Sequence, residues 1–381
     1  DNSEWNIYEK SRAKKIAEHF GIEYNEVPID FSSPSLVDSL DELLPELRSR
    51  NAYVGAIPHF TMYKKLKEKH PSGTIFSGEA ADSIHNFGFS QYVPFSHESY
   101  DFKEYGDKMR SYLYSPDFLK KTLNGSFKKD KAFEIWSQIS GKIRTEDLEL
   151  SGSRNDTLFR FISPILFSQF TRIPFEKIFT NSELSENGRT GLIQFFRGEY
   201  YNEILENLSE SNIYSGILQT YKDFHLQGPT MKMIPITAQL NGFNAAIPFL
   251  DPNVIKFMEK MPTSWGRGLE WNQTKYPLKK IARKMKNFPL SIVESGIHSY
   301  PSEVNPLLTD ETYNFYFNSS VTDYFKQMME GHEYKNILSE AHFNIPYLEE
   351  SVDHFINNRV DKVHDYYSLI RLINFVSIGW N

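Results

Sequence analysis

With 381 residues, 40% of them hydrophobic, the chain has the material for one large domain or two ordinary ones with a sizeable core. A net charge of −7 excludes a global basic field for nucleic acid or an anionic membrane, and the lack of cysteine excludes disulfides, thiolate metal sites and a cysteine nucleophile. No apolar run approaches the roughly 18 residues of a membrane-crossing helix, which points to the cytoplasm, and 30 phenylalanines and 22 tyrosines are expected to fill thick helix–helix and helix–sheet contacts.

From residue 8, YEKSRAKKIAEHF places Ala13, Ile16, Ala17 and Phe20 on one side of a helix that stops at Gly21. IEYNEVPID (22–30) then alternates like a strand. SPSLVDSLDELLPELRS (33–49) is a helix with leucines at helical spacing and Ser33 or Ser35 as its N-cap. Another helix covers about 58–69 and ends near His70–Pro71, and Thr74-Ile75-Phe76 follows as a strand. This order is the rhythm of an α/β layer with a parallel sheet. After Phe87 the segments turn mostly helical: FKEYGDKMRSYL (102–113), KAFEIWSQISGKI (131–143) and GLIQFFRGEYYNEILENL (191–208), divided by NGS (124–126) and SGSRND (151–156). PFLDPNVIKFMEKMP (248–262) reads as a turn and a short helix closed by Pro262. TKYPLKKIARKMK (274–286) is a basic helix, and YYSLIRLINFVSIGW (366–380) an apolar core helix. The expected organisation is an α/β part over about 1–95 and a mostly helical part over about 96–381 that contributes the lysine helix.

The chemistry concentrates in GTIFSGEAADSIHNF (73–87). In an open parallel sheet, ligands sit beyond the carboxyl ends of the strands, where Ser77-Gly78 falls. Gly78 permits close backbone approach, and a helix starting near Ala80 would aim its N–H groups at a phosphate. A carboxylate at that point needs a bridging cation, so Asp82 reads as a Mg²⁺ ligand. Glu79, nearer the strand end, reads as a proton acceptor or an orienting group. The same residues also read as ordinary loop chemistry, with Asp82 merely favoured by the helix dipole. Lys275, Lys279 and Arg283, at i, i+4 spacing, suit a polyphosphate, but taken alone they read more readily as a solvated helix face balancing an acidic chain. In IPFLDPN (247–253), Pro248 and Pro252 fix the turn and Asp251 caps the next helix, a structural role. His85 and His298 read as loop residues, since no second histidine stands at ligand spacing.

Taken in order, these pieces resemble the synthetase domain of the asparagine synthetase family, relatives of which close β-lactam rings and cyclise lasso peptides. The motif Ser-Gly-Glu-Gly-Ala-Asp-Glu of that family is matched by Ser77-Gly78-Glu79-Ala80-Ala81-Asp82-Ser83. Pro-Phe-Leu-Asp is matched by Pro248 to Asp251, and a Thr-Lys-aromatic-x-Leu helix by Thr274, Lys275, Tyr276 and Leu278. RAKKIAEHFGIEYNEV and LIRLINFVSIGW look like its opening helix and strand and its closing helix. The resemblance implies an ATP pyrophosphatase-type (adenine nucleotide alpha hydrolase-like) α/β fold followed by a mostly helical part. It implies that a small-molecule or peptide carboxylate is activated with ATP and Mg²⁺ to an acyl-adenylate, which ammonia or a substrate amine converts to an amide. On the matching positions, Ser77 and Gly78 would contact the adenylate and Asp82 would hold Mg²⁺. Glu79 would assist amine deprotonation or orient the substrate, and Lys275 would stabilise the phosphates and the charge of acyl transfer.

The chain departs from the pattern in several places. The phosphate loop Ser-Gly-Gly-x-Asp-Ser is not among the 381 residues. The chain begins Asp1-Asn2-Ser3-Glu4, so an upstream segment or a second chain is expected to carry that loop. No glutaminase domain is expected within these 381 residues, which have no cysteine to start one. Ser83 replaces an acidic residue, Asn244-Ala245-Ala246 stand where Glu-x-Arg is usual, and IVESGIHSYP (292–301), with Glu294, replaces the Arg-Pro-Lys-x-Gly-Phe loop. The alternative expectation is a degenerate, non-catalytic relative that binds a nucleotide or a partner.

Overall fold

The computed structural model describes residues 4–30, 33–49, 56–86, 94–96, 103–105, 111–140, 152–167, 174–175, 183–221, 229–262, 265, 275–294, 320, 323–324, 326–327, 338 and 341–357. Helix α1 spans Glu4–Phe20. Gly21, at φ 63°, ends it: the Gly21 N–H donates to Glu18 O and the Ile22 N–H to Ala17 O at 3.0 Å, the double bond of a left-handed C-cap. Residues 22–30 form neither helix nor strand, against the sequence expectation. Alternation alone does not make a strand: it needs a ladder, and here the segment's contacts run to helices instead. Lys10 pairs with Glu26, Lys65 Nζ donates to Pro28 O at 2.6 Å, and Lys69 Nζ to Asn25 Oδ1 at 3.1 Å.

Helix α2 (Leu36–Ser49) buries Leu36, Leu40 and Leu43 at helical spacing, and Ser33, whose Oγ accepts from the Ser35 N–H, organises its start. Helix α3 (Ile57–Lys69) packs on α2 and buries Ile57, Phe60 and Tyr63. Strand β1 (Gly73–Phe76) follows after three residues, so α3 runs antiparallel to it. The short helix α4 (Ala81–Asn86) comes next. Strands β2 (Pro94–Ser96) and β3 (Lys103–Tyr105) pair antiparallel, Phe95 opposite Glu104. This corrects the helix expected from residue 102: a ladder to β2 takes the backbone of 103–105, and among the described residues of that stretch helix is found at 111–113.

The helical part follows: α5 (Pro116–Leu123), α6 (Lys131–Ser140), α7 (Arg154–Ile162), α8 (Glu186–Phe196), α9 (Asn202–Asn207) and α10 (Ile213–Tyr221). Helix α8 runs into α9 through a π turn at Arg197–Tyr201. Ser115 caps α5, and Ser153 and Asp156 form a capping box on α7, so SGSRND is the start of a helix as much as a loop. The aromatic content settles where thick contacts were expected: Phe118, Phe127, Phe133, Phe161 and Phe175 form one buried cluster, Phe127 and Phe175 stacked at 4.6 Å.

Helix α11 (Pro229–Leu240) turns through Gly242, φ 80°, into strand β4 (Phe243–Ala246). Strand β4 pairs parallel with β1, Gly73 opposite Phe243 and Phe76 opposite Ala246. Helices α3 and α11 cover one face of this sheet, around Tyr63, Ala238 and Phe243, with Ile75 and Ala245 against them. On the other face Phe76 is 73% exposed. A 3₁₀ turn (Pro248–Leu250) leads to helix α12 (Pro252–Glu259), and helices α13 (Tyr276–Lys284), α14 (Leu290–Glu294) and α15 (Ile345–Asn357) complete the described chain. The expected apolar helix at 366–380 lies outside the described residues.

Candidate functional site

The two parallel strands end side by side. The Ser77 N–H donates to Ala246 O at 2.9 Å, extending the ladder one step past β1. The chain then reverses tightly. Ser77 Oγ accepts from the Glu79 N–H at 3.2 Å, and the Ala81 N–H donates to Gly78 O at 3.3 Å. Gly78 is exposed, and a Cβ built on it would meet no protein atom within 4 Å. That opening is a cradle over which a flat or anionic group can approach the backbone. Ala80 turns the corner at φ 68° and is buried at 4% exposure. The helix begins at Ala81, one residue later than expected, and has only six residues, so its dipole is small.

Asp82 is the second residue of α4, and its side chain lies outside the described set, as does that of Ser83. Among the described residues no three His, Asp or Glu side chains cluster at metal-binding distance. The donor chemistry still fits Mg²⁺ bound through phosphate oxygens, which asks for only one or two carboxylates from the protein. Glu79 and Asp82 stand in the same turn at the open cradle.

The Pro-Phe-Leu-Asp turn follows directly from β4. Asp251 Oδ1 accepts from the Asn253 N–H at 2.8 Å and caps α12, the structural role expected of it. Phe249 meets the ring of His85 edge-on at 6.5 Å, and α12 rests against α4. His85 is therefore not a loop residue: it is buried on α4, its Nδ1 2.6 Å from Ala81 O. His298 lies outside the described residues. The two motifs, far apart in sequence, form one junction, and the link is β4, which sequence reasoning missed.

Lys275 is the N-cap of α13 at φ 58°, ψ 30°, a left-handed conformation on a long side chain. It stands at the helix end, where the Lys279 N–H donates to Lys275 O at 3.1 Å. Lys279 and Arg283, both within the helix, share a face one turn apart. Tyr276 leans on Trp265 at 6.2 Å, Lys280 lies 5.7 Å above the Trp265 ring, and Trp265 meets Phe257 of α12 at 6.1 Å. Lysine helix and strand-end turn thus converge on α12. Four non-glycine residues have positive φ among the described residues, and two of them, Ala80 and Lys275, lie in the motifs singled out by sequence. Backbone strain concentrates at functional sites because the surrounding structure must hold it.

Sequence reasoning also missed Tyr63. Its phenol is pushed above its ordinary range by burial and then by the charge of Glu79. Glu79 therefore lies within electrostatic reach of α3. On β4, Asn244 is exposed and Ala245 and Ala246 are half-buried. The positions where Glu-x-Arg is usual thus bring no charged side chain to the junction.

A family model described as asparagine synthase matches residues 6–295. The match stops short of the apolar segment at 366–380. No curated protein and no solved structure matches the chain.

Proposed function

The chain belongs to the asparagine synthase family, and from that premise we propose that it forms amide bonds by AMP-forming activation of a carboxylate. The observation that carries this reading is the joined end of β1 and β4. There the open backbone at Gly78 and the neighbouring Glu79 lie at the end of a ladder whose other strand leads into the Pro-Phe-Leu-Asp turn, which supports this reading.

In this reading the substrate carboxylate oxygen attacks the α-phosphate of ATP and pyrophosphate leaves. An amine then attacks the acyl carbon, the C–N bond forms, the C–O bond to AMP breaks, and the amine loses a proton. Ser77 and Gly78 lie along the adenylate. Glu79 orients the amine or assists its deprotonation, and Lys275 stabilises the phosphates and the charge on the acyl group. Mg²⁺, held by Asp82, would neutralise phosphate charge. The phosphate loop comes from an upstream segment or a second chain, the work takes place in the cytoplasm, and the α/β part extends to about residue 95.

One observation favours a second reading. The end of β4 carries Ala245 and Ala246, so the junction is poorer in charge than the family pattern. A non-catalytic nucleotide- or partner-binding relative would have this character. Pyrophosphate exchange into ATP, run with a panel of amino acids and short peptides as carboxylates, separates the two. Exchange that needs Mg²⁺ and a carboxylate supports the ligase. ATP binding without exchange supports the binding module.

A further inference from the structure

The turn at the end of β1 is held by more than its own backbone. Its corner, Ala80, is left-handed at φ 68°, a conformation that costs a non-glycine residue about 1–2 kcal/mol and persists where the surrounding structure fixes it. Helix α4, which follows, has six residues, well below the roughly 12–15 at which a helix holds itself in water. Ala80 and Ile84 anchor it in the main core, against which Phe249 packs. The side chain of His85 then reaches back toward the turn. His85 is 2% exposed, and its Nδ1 lies 2.6 Å from Ala81 O. A carbonyl oxygen only accepts, so Nδ1 carries the hydrogen and donates it. The same ring meets Phe249 edge-on.

Packing alone does not call for an imidazole here. An apolar side chain would fill the space without placing polar nitrogens in the core. What histidine adds is the donor at Nδ1. With it, Ala81 is held from both sides: its N–H donates to Gly78 O at 3.3 Å, and its carbonyl accepts from His85. That carbonyl and the Asp82 N–H share one planar peptide, so the bond from His85 fixes the backbone from which Asp82 departs. The contact with Phe249 couples this backbone to the Pro-Phe-Leu-Asp turn and to α12, which rests on α4.

We propose that His85 is a positioning residue of the nucleotide site: through Ala81 it holds the Gly78 turn and the backbone of Asp82 in the arrangement that binds ATP together with Mg²⁺. The proposal rests on the amide-ligase reading and deepens it. His85 touches neither nucleotide nor metal, and its ring stays in the core. The role belongs to the Nδ1 donor rather than to the bulk of the ring, so removing the donor costs Mg²⁺-dependent binding rather than the fold.

The test is calorimetric binding of ATP to the full chain over a series of Mg²⁺ concentrations, beside thermal unfolding of each variant. His85→Phe keeps a ring against Phe249 but has no donor. His85→Asn loses the ring, but its amide can donate from the place of Nδ1. Ile135→Ala, a buried position on α6, controls for lost stability alone. In His85→Phe the Mg²⁺ concentration that half-saturates ATP binding should rise roughly 10-fold, the lower end of what groups supporting a metal ligand contribute, with little change in melting temperature. His85→Asn and Ile135→Ala should melt earlier and keep the wild-type Mg²⁺ dependence. If His85→Asn does not fold by circular dichroism, His85→Leu replaces it as a second variant without a donor and must share the shift of His85→Phe. An unchanged Mg²⁺ dependence in His85→Phe or His85→Leu, an equal shift in His85→Asn, or an equal shift in Ile135→Ala overturns the role of His85 and leaves the ligase reading standing. A wild type whose ATP binding ignores Mg²⁺ overturns the metal-assisted reading itself, and the proposal with it.

Discussion

Gly78 and Lys275 separate function from stability with unusual clarity. A methyl group on Gly78 has open space within 4 Å, and Gly78 is not among the glycines held at positive φ, so Gly78→Ala is expected to unfold within about 0.5 kcal/mol of wild type. Its affinity for ATP should fall, because the new methyl occupies the approach to the backbone; calorimetric binding beside thermal unfolding checks both. Lys275 pays for its position in strain: a left-handed non-glycine costs about 1–2 kcal/mol. Lys275→Gly should therefore raise stability by about 1 kcal/mol while lowering amide formation on the order of 10²–10³-fold. A variant that gains stability and keeps full turnover would place Lys275 outside the chemistry. Neither strain nor open space was legible in the sequence. Alanine and lysine have no left-handed preference, so only the tertiary contacts around Ala80 and Lys275 reveal it. The residue types were legible, because a strand ending in Ser-Gly-Glu and a lysine opening a basic helix carry their chemistry in their order.

Secondary-structure elements were legible where a single local signal acted, and not where a partner decided. Helices α2 and α3 appear as their leucines and aromatics dictate, and Asp251 caps α12 as its position before Pro252 requires. Phe-Asn-Ala-Ala has weak strand propensity, yet β4 exists because β1 offers a parallel ladder, whereas 22–30 alternates and remains unpaired in any ladder among the described residues. The link from Tyr112 into α5 and α6 shows the same dependence on partners. Tyr112 Oη donates to Asp130 Oδ2 at 2.6 Å, Lys121 Nζ donates to the same oxygen at 2.5 Å, and Asp130 Oδ1 accepts from the Phe133 N–H at the start of α6. Burial and then the Asp130 hydrogen bond push the Tyr112 phenol up to about 12. A group whose pKa rises on folding stabilises the fold fully below its unfolded value, about 10 for tyrosine, and that contribution is lost as pH climbs toward 12. Denaturant titrations from pH 9 to 12 should show this loss in wild type and a flatter profile in Tyr112→Phe. Parallel profiles would remove Tyr112 from the alkaline transition.

At the scale of the whole molecule, distant segments are joined by backbone rather than by side-chain pattern. The pairing of β1 with β4 brings the Ser-Gly-Glu turn and the Pro-Phe-Leu-Asp turn together, and α12 carries the lysine helix to the same place through Trp265. A second clasp holds 183–188 to 341–344. The Asn344 N–H donates to Glu183 O at 2.9 Å, the Ser185 N–H to His342 O at 3.0 Å, and Ser185 Oγ to Ala341 O at 2.7 Å. Gly188 permits it: a Cβ there would stand 2.0 Å from His342 O, a backbone atom that cannot swing aside. Gly188→Ala should lower stability by about 2 kcal/mol or more, with faster amide hydrogen exchange at Asn344, while Gly191→Ala, in open space on the same helix, should not. An unchanged melting temperature in Gly188→Ala would mean the clasp does not support the fold.

The central claim is that the end of β1 and the start of α13 together bind and activate a carboxylate as its adenylate. The most direct measurement is exchange of radiolabelled pyrophosphate into ATP by the full chain over the carboxylate panel, with and without Mg²⁺, in wild type, Gly78→Ala and Lys275→Ala. The account predicts Mg²⁺-dependent exchange with at least one carboxylate, weakened in the first variant and lost in the second. ATP bound without exchange in the wild type, or exchange unchanged in both variants, would contradict it.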